Sequence, residues 1–406
     1  MSTSAAAPPP AADKVAAAES AVAESDPQVL VLTAYAKSVA AAYEQWAAGE
    51  SAAARARLAE LAPELRGWEW HYVNRLCTAE LAPPAGGAGA EMKRNALVLT
   101  GHKNSVDTAL FGPQGAWVVT TSADHTLRIW DSETGAQLKS AEPTGWNLCH
   151  ASLSADGKKL LTTNHPYVRV WDTQTGEQLV DLTRQVGMES QWPIHFAGAI
   201  SPDGKRVVTC SPKFKIKLRD SQTGAEIVTL QGIHTYWAHS AAFSADGRLL
   251  VTASEADDAA RVWDVKTGKE LWQLKGHGRQ GVWSVAFDPQ GAQVATGAGE
   301  GPLRLWNITD GQLVQTIPAH TRPLTAIAWT PDRSRIVTGS QDHTVKIWDP
   351  ATGSHLFTLP GHTDIVNSVA FNRDGNRLIT GSWDKTARIW DARPLPMANA
   401  APQKAE

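Results

Sequence analysis

The apolar positions change period once along this chain. Between residues 27 and 77 they recur at helical spacing: Leu32, Tyr35, Val39 and Trp46, then Ala54, Leu58 and Leu61. Gly49 is a plausible stop, Ser51 can cap a second helix, and Pro63 starts or breaks a turn. A third segment, Glu64 to Cys77, carries Trp68, Trp70, Tyr72, Val73 and Leu76. From about residue 95 the apolar residues come instead in short strand-like runs closed by polar turns. The last such unit reads Gly361-His362, an apolar run ending on Phe371, Arg373-Asp374-Gly375, Ser382-Trp383-Asp384 and Trp390-Asp391. The closing pair recurs at Trp348-Asp349, Trp306-Asn307, Trp263-Asp264, Arg219-Asp220, Trp171-Asp172 and Trp130-Asp131, in steps of 41 to 48 residues. Seven units of four short strands predict a seven-bladed β-propeller, an all-β ring.

Two turn series hold the register. Pro113-Gln114-Gly115, Ala155-Asp156-Gly157 and their counterparts close the first hairpin of each unit, with Arg333 standing where the others have Gly. Thr134-Gly135, Thr175-Gly176 and the later Thr-Gly or Asp-Gly pairs follow each Trp-Asp strand but fail after Asp391. The fourth strand of the last blade must come from elsewhere. Ala96 to Leu99 before Gly101-His102 aligns with Leu356 to Leu359 before Gly361-His362, so an N-terminal strand closes the ring. The expected organisation is a disordered Ala/Pro-rich tail (1–25), a helical segment (26–80) packing its own apolar face or docking in a groove, a linker (81–94), the propeller (95–394) and a disordered tail (395–406).

Composition narrows the function classes. A net charge of −3 gives no polybasic footprint for nucleic acid or an anionic membrane. Three widely spaced cysteines argue against a disulfide framework or a Cys-based zinc site and suit a reducing, cytoplasmic setting. With no run of 18 apolar residues and no signal pattern, the chain as given is expected to be soluble and monomeric. The thirteen histidines form no convincing metal site, no Gly-rich phosphate loop appears, and no cofactor is expected.

Over about 300 residues the chain resembles the WD-repeat family. The resemblance implies a hydrogen-bonded tetrad of His, Ser or Thr, Asp and Trp in each blade. His102, Ser122, Asp124 and Trp130 match it, as do His320, Ser340, Asp342 and Trp348, and His362, Ser382, Asp384 and Trp390. On this reading the Ser bridges the imidazole to the indole N–H, and the repeated Ser-His-Asp trios are structural rather than catalytic. The tetrad decays elsewhere. His234, Asp257 and Trp263 persist in blade four, but blade five has Glu300 at the Asp position. Blade two has His165 there, and blade three has Lys213 for Asp and Arg219 for Trp. Blades two and three, with the inserted segment 184–193, are expected to be the least regular.

The same resemblance implies protein or peptide binding on the face where the His-bearing loops open. Counting back four from the residue matching Phe371 gives the inner positions Asp107, Cys149, Phe196, His239, Trp283, Thr325 and Asn367. The partner-binding candidates are Phe196, Trp237, His239, Trp283, Gln341 and Trp383, because the propeller's backbone needs no aromatic there. The segment Leu65-Arg66-Gly67-Trp68-Glu69-Trp70-His71-Tyr72 resembles the helical stretch before the propeller in planctomycete-type bacterial WD-repeat serine/threonine kinases, whose kinase motifs are absent here. The expectation is a non-catalytic interaction scaffold in bacterial signalling. The alternatives are a small-ligand sensor or an enzyme using the central channel.

Overall fold

The computed structural model describes residues 26–78, 90–93, 96–141, 146–165, 167–183, 198–210, 216–232, 234, 238–254, 257–278 and 280–394. Seven antiparallel sheets form the blades, six of four strands and one of five. Successive hairpins build each blade from its inner to its outer strand. The ring closes as the sequence requires. Strand β2 (Ala96–Leu99) pairs with the third strand of blade seven, with Leu97 opposite Ile389, Val98 opposite Arg388 and Leu99 opposite Ala387. Residues 90–93, read from sequence as the end of a linker, instead form β1 (Ala90–Lys93). This fifth strand lies outside β2 and covers its free edge.

Two β-bulges recur, each adding one unpaired residue that re-aims its side chain. The first lies early in the inner strand, at Asp107, His239, Trp283, Thr325 and Asn367. These are the inner positions counted from sequence. The second lies in the outer strand, at Leu138, Leu179, Ile227, Leu271, Val314 and Leu356. Blades two and three are irregular as expected. The inner strand of blade two carries two register shifts, and among the described residues that of blade three spans Ala199–Ile200. The segment 184–193 lies outside the described residues.

Among the described residues three α-helices precede the ring: α1 (Pro27–Ala47), α2 (Ser51–Ala59) and α3 (Trp68–Thr78). Asp26 caps α1 by accepting from Gln28 N–H, and Gly49 (φ +91°) follows its end. Ser51 is the first residue of α2 rather than its cap, which is Glu50. The helical unit does not merely pack on itself. Tyr35, Val39, Trp68, Tyr72 and Leu76 share one core with Ile347, Leu356, Phe357, Val369 and Trp390 of blades six and seven. Tyr43 and Phe357 meet edge to face at 5.6 Å, and Tyr72 and Trp390 at 6.1 Å.

A buried ion pair anchors the contact. Arg335, at the start of a blade-six strand, donates from Nε and Nη2 to both oxygens of Glu69, each at 3.1 Å. Tyr35 Oη donates to the same carboxylate at 2.6 Å. Burial, then the Glu69 charge, pushes the Tyr35 phenol well above its usual range. Gly67 makes room for this, since a Cβ there would stand 2.2 Å from the Arg335 guanidinium. Arg335, Asp391 and Arg393, which the helices touch, and Asp349, which Arg335 contacts, all lie at the first-hairpin end of the blades. The helical unit therefore packs on blades six and seven, with α3 reaching the end opposite the His and Asp loops.

Candidate functional site

The tetrads occupy the other end, and their geometry corrects one assignment. His362 Nδ1 donates to Asp384 at 2.7 Å, so its Nε2 is left to accept, from Thr380 Oγ1 at 2.7 Å. Trp390 Nε1 donates to the same hydroxyl at 3.1 Å. The bridging residue is thus Thr380, two positions before Ser382. The strand's period of two puts both on one face, and only the Thr lies level with the indole. Thr338 takes the same place between His320 and Trp348, and Thr120 between His102 and Trp130. Ser382, Ser340 and Ser122 instead accept from the N–H of the turn Asp and donate to carbonyls of the preceding loop. None of the three bonds its tetrad histidine, so the trios lack a nucleophile–base contact.

Asp384 is also held by Thr386 through N–H and hydroxyl. Burial alone would raise its carboxyl, but the bonds from His362 and Thr386 outweigh it and hold it below the usual carboxylate range. Burial keeps the His362 imidazole below its ordinary value against the pull of Asp384. Where members are missing, the backbone compensates. In blade five His277 faces the Asp258 carbonyl at 3.2 Å and keeps Thr296 and Trp306. In blade two Trp171 still donates to Thr162. In blade three the buried Arg219 donates to Gly224 O. Blade four is complete, with Thr252 between His234 and Trp263 and Asp257 on the far side of His234.

These tetrads brace the loops that frame the proposed face. Trp383, next to Asp384, is 46% exposed and is the one aromatic among the strongly exposed large apolar side chains of the described residues. Its N–H donates to Ile365 O at 2.8 Å, which fixes the turn beside the inner bulge of blade seven. His239 and Trp283 come together, with ring centroids 5.2 Å apart and His239 Nδ1 donating to Trp283 O at 3.2 Å. The Trp283 indole donates back to Gln280 O, so this ring is folded onto its own loop and half-buried. Gln341 is half-buried, its N–H held by Pro323 O. Phe196 and Trp237 lie outside the described residues.

Asp107 stands at the inner bulge of blade one, accepting from Ser105 Oγ at 3.0 Å and Asn367 Nδ2 at 3.4 Å. Burial pushes its carboxyl up to about 7, against those two bonds. A carboxyl raised in the folded state gives stability that is complete below its unfolded value of about 3.9 and is lost as pH rises toward 7. Asp107→Asn is therefore expected to raise Tm at pH 8 and leave it nearly unchanged at pH 4. An equal effect at both pH values would contradict a desolvated carboxylate. Among the described residues no three His, Cys, Asp or Glu side chains are placed to hold a metal. No helix among the described residues is long and apolar enough to cross a membrane.

Sheet count, closure and tetrads define a seven-bladed β-propeller of WD repeats. The family described as WD domain, G-beta repeat matches residues 94–131, 226–264, 268–307, 311–349 and 353–391. The interval between the first two matches holds blades two and three, where the tetrads lose members. The chain is 27% identical to pre-mRNA-processing factor 19 homolog 2 of Arabidopsis thaliana over 54% of its own length and 41% of the relative's. It is 29% identical to nuclear distribution protein PAC1 of Arthroderma benhamiae over 41% and 37%. It is 39% identical to eukaryotic translation initiation factor 3 subunit I of Candida albicans over 18% and 21%. The chain spans less than half the length of these relatives.

Proposed function

We propose that this protein is a non-catalytic interaction scaffold whose tetrad-end face receives a protein or peptide partner. Trp383 carries the reading: a large aromatic held at 46% exposure on a braced turn, where the fold has no use for it. Trp283, His239 and Gln341 on other blades extend the proposed face, and Phe196 and Trp237 complete the set. The helical unit packs on blades six and seven toward the opposite end. The tetrad hydroxyls and imidazoles are occupied in bracing loops, which supports a non-catalytic role. The resemblance of residues 53–77 to the segment in bacterial WD-repeat kinases supports a cytoplasmic signalling role, with the chain acting as a monomer. The test is a pull-down from a lysate of the source cell with wild type beside Trp383→Ala/Trp283→Ala. A protein retained by wild type and reduced at least tenfold in the variant is expected. Equal recovery would place the site elsewhere.

A second reading, a small-ligand sensor or channel enzyme, draws on Asp107, whose carboxyl titrates near neutrality beside two neutral donors. Tryptophan fluorescence quenched by a small molecule, and unresponsive in Trp283→Phe, would favour it.

A further inference from the structure

The helical unit fills one junction between blades, and another junction of the same construction stands open. Under the helices lie Arg335, Ile347 and Leu356 of blade six and Ala392 of blade seven, all buried. By strand register these positions correspond to Trp117, Ile129 and Leu138 of blade one and Thr173 of blade two. Those four residues, with Lys139 and Lys158, line a cavity of about 390 Å³. Leu356 is 1% exposed beneath the helices, whereas Leu138 is 56% exposed, in line with its counterparts Leu179, Ile227, Leu271 and Val314 at 40 to 54%; what sets this junction apart is the space behind it.

Three other junctions are closed by their own side chains. A Cβ on the turn glycine of the following blade would strike Val228 at Gly268, Trp272 at Gly311 and Gln315 at Gly353, within 2.5 to 2.8 Å. At Gly176, the counterpart in blade two, it would meet nothing within 4 Å. Lys139, which occupies the place of Phe357, leaves the space unfilled.

We propose that the blade one–two junction is a docking groove for an amphipathic helix of a partner protein. The contact between helices and propeller at blades six and seven shows the kind of element that such a junction accepts. The chemistry differs at one point: Arg335 is replaced by Trp117. The helical unit of a second copy would bring Glu69 against an indole and bury a carboxylate without a cation. The occupant therefore carries an apolar residue where α3 carries Glu69, with an acidic residue at its flank for Lys139, since Lys158 already has Asp156 at 4.0 Å in the same groove. The groove lies at the opposite end of the ring from Trp383, so the two surfaces stand or fall separately.

The probe is a fluorescein-labelled, hydrocarbon-stapled peptide of residues 66–78 carrying Glu69→Leu, His71→Glu and Cys77→Ser, titrated with the full chain by fluorescence polarisation. Binding is expected, weakened at least tenfold by Leu138→Glu/Lys139→Glu, whose side chains are exposed and whose loss leaves Tm unchanged. A matched peptide retaining Glu69 should bind at least tenfold more weakly. No binding of the first peptide, equal binding to the variant, or equal binding of the Glu69 peptide would each overturn the proposal. So would concentration-dependent self-association of the chain abolished by Leu138→Glu, which would make the occupant a second copy.

Discussion

Arg335→Met should destabilise the protein by about 3–5 kcal/mol, the range for removing one partner of a buried ion pair. Arg335 is 7% exposed and Glu69 fully buried. After the substitution the Glu69 carboxylate keeps only the Tyr35 hydroxyl at 2.6 Å and no cation within its shell. The pair joins α3 to blade six, so the loss should appear first as release of the helical unit, seen in urea unfolding as an early transition with a smaller m value. Replacing all three polar partners, as in Tyr35→Phe/Glu69→Leu/Arg335→Met, should recover most of the loss, because the surrounding core of Val39, Phe357 and Val369 is apolar. A triple variant no more stable than Arg335→Met would show that the carboxylate is not the source of the cost.

Thr380→Val should cost roughly 2–6 kcal/mol, since it leaves two buried nitrogens, Trp390 Nε1 and His362 Nε2, without their shared hydroxyl at about 1–3 kcal/mol each. Trp390 is fully buried in the blade where the ring closes and packs on Tyr72, so loosening it weakens both the closure and the helical contact. Ser382→Ala separates the two possible bridges. It removes bonds to Asp384 N and Asp364 O but leaves the tetrad intact. The Trp390 indole N–H resonance should shift in Thr380→Val and stay in place in Ser382→Ala. The reverse pattern would restore the serine as the bridge.

The ring and its closure were legible because the fold repeats. Seven copies of one pattern reveal the register, and the failed turn after Asp391 points to β2. The inner bulge positions could be counted from Phe371 for the same reason. What the sequence concealed lies where a residue acts across elements rather than within its repeat. Thr380 and Ser382 share one strand face, and spacing alone does not tell which is level with Trp390. Arg335 reads as an ordinary charge at a strand start; its counterpart Arg377 instead reaches the Gly115 carbonyl of blade one. Glu69 and Gly67 gain meaning only when Arg335 passes between them. The one available signal was Gly67 itself, a glycine between two apolar helical stretches with no turn to make. Strand β1 carries Glu91 and Lys93 in four residues, too short for a period to show.

The most direct test of the account is a photo-crosslinking amino acid placed at position 383 of the full chain in the source cell, with the same group at Val314 on the outer rim as control. The account predicts one specific protein adduct from position 383 and none from position 314. Adducts equal at both positions, or absent from 383 while the protein still recovers a partner, would contradict a binding face built around Trp383.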